Sequence, residues 1–325
     1  MRINNTDFVS LVSQIFERSM DLDPIDKVDG LDKWVFNFPD GEMPIATRMA
    51  SEDSSRLSRR AKLQLTNRLG MPEKVLDRLS PGLRFAAINH LIQQYEQDQM
   101  MTFRTVDKGG DERVVRALVT ERYTPLDDVD VVPLVADVLA DTDAQIVRAD
   151  FDDDYTHIRV VFPRTQTEVK KGDIIRTGIS ISNSEVGLRS LLFNPFNERL
   201  VCLNGMTSTE SQGTTSLRHV GNAARLKDSV WRAVEDARVG AVRMQEQFRK
   251  ALDHAVLDPI KAINDHGTSL LTQDQLKAVL AAYTVEPDPS LFGVINAFTR
   301  GAQMMGDMET QYEVERAGAR LLLAA

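Results

Sequence analysis

Between Gly178 and Gly221 the chain gathers side chains that could do chemistry. Asn183-Ser-Glu185 stands between Gly178 and Gly187, Arg199 precedes Asn204-Gly205, and Arg218-His219 precedes Gly221. Arg176, Arg189, Arg199 and Arg218 carry planar guanidinium forks that fit phosphate oxygens. Asn183 and Asn204 bring amides that both donate and accept, and His219 brings a group able to act as base or metal ligand. Upstream, Arg122 and Tyr123 sit where a strand passes into a helix, a pairing suited to a phosphate contact and a stacked base. Taken together, Arg122, Tyr123, Arg176, Asn183, Arg189, Arg199, Asn204, Arg218 and His219 are the candidate nucleic-acid-binding residues.

Plainer readings stand beside these. Asn183 equally suits a polar turn in the left-handed conformation, and Asn204-Gly205 is a strong hairpin-turn signal. The arginines equally suit a solvated strand face, and Tyr123 equally suits packing a helix onto a sheet. Cys202 alternates with Val201 and Leu203, which reads as a small buried hydrophobe. No catalytic residue is assigned. The rival reading is a metal-dependent nuclease using Glu185, Asp173 and His219 with Asn183 or Asn204. A divalent ion enters only there, and the carboxylate spacing supplies no tight oxygen cluster for one. Otherwise no cofactor is expected.

The elements that must position these residues read as an α+β chain. Residues 1–100 read as a mainly helical region. Phe8, Leu11, Val12, Ile15 and Phe16 mark one helix, Trp34–Phe38 a short strand, and further helices run over 51–69 and 81–98. A basic helix face carries Arg56, Arg59, Arg60, Lys62 and Arg68, the plainest electrostatic sign of a polyanion, although a solvated face reads the same way. Over 101–222 the period falls to 2. A hairpin of 101–106 with 113–120 is followed by a helix from Asp127 or Asp128 and strands at 145–151, 155–162, 174–182, 191–193 and 199–203, with Asn194-Pro-Phe-Asn197 as a turn. This gives a central, mainly antiparallel sheet. Residues 223–325 are helical again. Apolar residues from Leu226 to Ala251 repeat at three and four, which predicts one amphipathic helix of roughly 30 residues. Thr272-Gln-Asp-Gln275 is a capping box.

Composition removes several classes. A net charge of −9 speaks against coating nucleic acid or an anionic membrane broadly, but leaves room for a local basic groove. One cysteine forbids an internal disulfide and fits a cytoplasmic location, and no run is long and apolar enough to span a membrane. There is no GxxxxGK[ST] loop, no GxGxxG after a strand, no HExxH and no GxSxG. The ATPase, dehydrogenase and zinc-hydrolase readings therefore fall.

Arg116 to Asp127, Asn183-Ser-Glu-Val-Gly187, Arg199 to Met206, Arg218-His-Val-Gly221 and Leu291 to Arg300, in that order, resemble a phage- and plasmid-encoded family, domain of unknown function 932. The resemblance covers about residues 100 to 300. It implies a mobile-element protein acting beside DNA replication and recombination, and so a nucleic-acid role. A hairpin-rich sheet backed by a long helix also looks like the layout of single-strand annealing proteins, which work without ATP as rings or filaments. The expected partners are single-stranded DNA, further copies of the chain, and phage or host replication and recombination proteins. An interaction protein that binds a host or phage partner is the third reading.

Overall fold

The computed structural model describes residues 1–22, 24–51, 53–94, 100–107, 113–170, 172–199, 204–207, 214–221 and 226–323. Cys202 lies outside the described residues, as does the Asn204 side chain. The architecture is α+β, with two mainly antiparallel sheets and helices packed against them.

The larger sheet has eight strands, with central order β1 (Arg2–Thr6), β8 (Gln145–Phe151), β9 (Thr156–Val161), β11 (Asp173–Asn183), β12 (Leu191–Arg199), β13 (Asn204–Thr207). Two short strands complete it: β10 (Thr167–Lys170) on β11 and β14 (Thr215–Leu217) on β12. Period-2 alternation gives β9 and β11 two unlike faces. Ile158, Val160, Ile179 and Ile181 join a core with α1 (Phe8–Leu22), α5 (Asp128–Leu139) and α6 (Leu226–Asp253). The opposite face turns His157, Arg159, Ser180 and Ser182 inward. There α10 (Met308–Ala319) answers them: Glu309 pairs with His157 and Glu315 with Arg159, the latter at 2.7 Å. Gly178 lets β9 and β11 lie close, since a Cβ there would collide with the Val160 carbonyl oxygen.

The second sheet has six strands in the order β2 (Pro24–Gly30), β6 (Met100–Asp107), β7 (Arg113–Thr120), β5 (Ser54–Leu57), β4 (Ile45–Arg48), β3 (Trp34–Asn37). Its one parallel pair is β5 with β7. Phe36, Leu57, Phe103, Val115 and Leu118 pack one face onto α2 (Arg59–Arg68), α3 (Glu73–Leu76) and α4 (Pro81–Gln94). The C-terminal helices α7 (Pro259–Gly267), α8 (Gln273–Val285) and α9 (Leu291–Ala302) form a further core, with the expected capping box at Thr272.

Two expectations need correction. Residues 1–100 carry more strand than expected, β1 to β5 beside their helices, and residues 54–57 are strand rather than the start of a helix. These strands are short or carry charges; β1, β2 and one edge of β5 take partners from β8, β6 and β7, while β3, β4 and β5 pair among themselves. The Asn194–Asn197 segment is not a turn. β12 runs straight through it, because Pro195 falls between the stretch paired with β14 and the stretch paired with β13, where its missing N–H leaves no bond unmade.

Candidate functional site

β11 divides the predicted constellation. Arg176 lies near its start and Asn183 at its end, and the whole strand from Asp173 to Asn183 spans roughly 30 Å at about 3.3 Å per residue. The register places Arg199 opposite Ile175, Asn204 opposite Arg199, and Arg176 opposite Glu198. Arg176, Arg199 and Asn204 are therefore at one end, and Asn183, Tyr123 and His219 at the other.

At the first end the arginines are consumed internally. Arg176 pairs with Glu198 across the strands. Arg199 Nε donates to both Asp173 oxygens at 2.6 and 2.8 Å, and its terminal nitrogens reach Glu286 at 2.7 and 3.2 Å. Burial alone would lower the Arg199 pKa, but these two carboxylates outweigh it and raise it. Such a group ties β11 to the α8–α9 connection. The reading of Arg176 and Arg199 as phosphate contacts is corrected on these grounds, and Asp173 is too far from Glu185 to share a metal with it. Among the described residues no group of three His, Cys, Asp or Glu side chains could hold a metal ion.

The other end is a seam where the β11–β12 loop, residues 184–190, meets β7 of the second sheet. Arg104, 1% exposed, stands at its centre. Its guanidinium contacts Asp26 at 3.1 Å, Asp127 at 2.6 and 2.8 Å and the Glu185 carbonyl at 2.5 Å. Burial opposes the charge, yet Asp127 and Asp26 hold Arg104 protonated with a raised pKa. Arg116 bonds the Glu185 carboxylate at 2.5 Å, and the other Glu185 oxygen accepts from the Asp128 backbone N–H at 2.8 Å, at the start of α5. Asn183 is 1% exposed and donates to the Leu126 carbonyl at 2.7 Å and to Asp128 at 3.0 Å. It is extended rather than left-handed, and it reaches no surface, so it positions the loop instead of touching a ligand. Burial and the Glu185 charge push the Asp128 carboxyl up. Gln64 of α2 closes the seam, donating to Val186 O and accepting from Leu118 N–H, both at 2.8 Å.

An open groove of about 710 Å³ lies over this seam, lined by Asn67, Arg68, Tyr123, Arg189, Ser190 and His219 among others. Its described lining contains no Asp or Glu. Tyr123 and His219 stack, with ring centroids 4.9 Å apart and planes 11° from parallel. The Tyr123 hydroxyl donates to Glu185 O at 3.1 Å, and burial raises its pKa. Thr124 N–H donates to His219 O at 2.7 Å, which brings residues 122–124 and 218–221 side by side. Arg122 and Arg218 flank the stacked rings in sequence; both are exposed, and neither has an ion-pair partner among the described residues. His219 is only 7% exposed, and its ring nitrogens are buried without a well-formed hydrogen bond, the Thr124 backbone alone standing near enough to favour the charged form. Burial drives its pKa down to about 4, with the Asp127 charge opposing, so the ring is neutral at pH 7.

Arg189 also lines the groove, but its guanidinium is anchored. It pairs with Glu309 and lies over the Tyr155 and Tyr312 rings at 5.1 and 5.0 Å. Close by, His157 Nδ1 is 3.0 Å from Ser182 Oγ and Nε2 is 3.0 Å from Glu309. The order resembles nucleophile, base and acid, but Ser182 is fully buried and no substrate reaches it. Sequence reasoning missed Arg104, Arg116, Gln64 and Asn67. The readable signal was a charge at an otherwise inward position, as in Met-Thr-Phe-Arg104 and Arg-Val-Val-Arg116.

Among the described residues no helix is long and apolar enough to cross a membrane. No curated protein and no solved structure matches the chain. Residues 116–319 match a family described as a domain of unknown function, DUF932, and that span includes Tyr123, the 184–190 loop and His219. The chain belongs to the DUF932 family.

Proposed function

We propose that the protein binds single-stranded DNA, without ATP, in the groove above Tyr123 and His219. The observation that carries this reading is His219. It is a nearly buried, neutral ring stacked on Tyr123, lining an open groove whose described lining holds no carboxylate. A flat pair of rings at such a groove offers a surface on which a base can stack. Arg122 and Arg218, exposed and next in sequence to the two rings, serve the phosphates. The site is thus narrower than the sequence suggested, resting on Arg122, Tyr123, Arg218 and His219 with Arg68 on the rim.

Fluorescence anisotropy with a labelled single-stranded oligonucleotide across a salt series tests it. Binding should be strongest at low salt. The Arg122→Ala/Arg218→Ala variant should weaken it at least about tenfold and flatten the plot of log affinity against log salt by about 1.4, two phosphate contacts at about 0.7 each. No binding at low salt, or a double variant that binds like the parent, refutes the reading.

A further inference from the structure

A second concave site lies at the other end of α2. A cavity of about 410 Å³ opens between α1, the first turn of α2, β7 and the β8–β9 turn. Four arginines line it: Arg18, Arg59, Arg60 and Arg116. Arg60 is engaged by Asp154 at 2.6 Å and Arg116 by Glu185 at 2.5 Å. The remaining two have no carboxylate among the described residues. Arg18 donates to the Asp152 carbonyl at 2.8 Å and lies over the Phe151 ring, and Arg59 is exposed. Arg116 Nε is buried with no acceptor at all. Asp153 stands at the exposed rim.

The other wall is apolar, built from Leu22, Leu63, Val106 and Val114. Ser58 caps α2 through Ala61 N–H at 3.0 Å, so the helix's positive end also faces this cavity. Arginine forks from separate elements suit a group with three peripheral oxygens better than a carboxylate with two. A volume of this size lies within the roughly 300–1,000 Å³ of small-molecule sites.

We propose that this cavity binds an organic phosphate of about mononucleotide size. The phosphate sits among Arg18, Arg59 and the Arg116 Nε–H, and the ligand's body lies along Leu63, Val106 and Val114. The proposal is independent of DNA binding, because the cavity and the groove share no lining residue.

Isothermal titration of the full chain at low salt, with adenosine 5′-monophosphate as probe and orthophosphate and adenosine as separate arms, tests it. The monophosphate should bind at least about tenfold tighter than either part, since each part fills only one wall. Arg18→Ala and Arg59→Ala should each weaken it several-fold; the exposed Arg59 should leave the melting temperature unchanged, whereas Arg18→Ala also gives up the Asp152 bond and the Phe151 contact and should lower it slightly. Arg122→Ala should leave it unaffected. The proposal is overturned by no measurable binding at millimolar probe, by a monophosphate no tighter than orthophosphate, by both cavity variants binding normally, or by a loss in Arg122→Ala.

Discussion

Replacing Arg104 by methionine keeps most of the side chain's apolar length and removes its charge from the centre of the seam. Asp26 and Asp127 then lose their shared cation, and the Glu185 carbonyl loses a 2.5 Å donor. Removing one partner from a buried ion pair costs about 3–5 kcal/mol, because the surviving charge stays desolvated. Here the two carboxylates retain 27% and 15% exposure, so water recovers part of that, and the lower end, about 3 kcal/mol, is the figure to expect. Urea unfolding followed by tryptophan emission reads it directly. Trp34 is 5% exposed and stacks on Phe103 at 4.5 Å in the same sheet, whereas Trp231 is already 55% exposed and changes little. Adding Asp127→Asn to Arg104→Met removes the tightest orphaned charge, and should return at least about half of the lost stability. A single variant that loses under about 1 kcal/mol, or a double variant no better than the single, would show that these charges are solvated and do not hold the two sheets.

Two more perturbations follow from the same region. His219 has a folded pKa near 4 against an ordinary 6.5, so its neutral form is the one the fold favours; its contribution is complete above about pH 6.5 and is lost as pH falls towards 4, at most about 3 kcal/mol. His219→Phe keeps the ring stack and should narrow the melting-temperature gap between pH 7.5 and pH 5; an unchanged gap contradicts the assignment. Gly187 sits at φ 77° with its missing Cβ 2.9 Å from Val119 Cγ1, so Gly187→Ala should cost about 1–2 kcal/mol in denaturant unfolding, and a neutral result refutes the strain.

The long regular elements were legible because their patterns are local. α6 follows its apolar spacing from Leu226, β6 and β7 form the expected hairpin, and the Thr272 box opens α8. Apart from β3, read from Trp34–Phe38, the short strands of the second sheet were not legible. β5 reads Ser-Ser-Arg-Leu, and only pairing with β4 and β7 makes it a strand. The polar residues at the end of β11 drew attention to Asn183, but its amide is spent on Leu126 and Asp128, and alternation cannot say which end of a strand faces an open groove. Nor could the sequence reveal that Arg189 and Arg199 are already neutralised, since Glu309 and Glu286 lie 120 and 87 residues away. The four residues that remain, Arg122, Tyr123, Arg218 and His219, are adjacent pairs whose meeting depends on one long-range bond, Thr124 N–H to His219 O.

The matched span begins inside β7, and the groove and the arginine cavity draw on it unequally. The groove floor is fixed by bonds within residues 116–319: Tyr123 to Glu185 O, Asn183 to Leu126 O and Thr124 to His219 O. What comes from outside is the α2 rim, with Gln64, Asn67 and Arg68, and the Arg104 strut behind it. The arginine cavity is the reverse: Arg18, Arg59 and Arg60 and the whole apolar wall precede residue 116, and Arg116, Asp153 and Asp154 alone fall within the match. The proposed single-strand site is therefore built chiefly from the family-matched span, whereas the proposed phosphate site depends on how the residues before 116 cover that core. If both proposals hold, single-strand binding survives loss of Arg18 and Arg59, and phosphate affinity survives loss of Arg122.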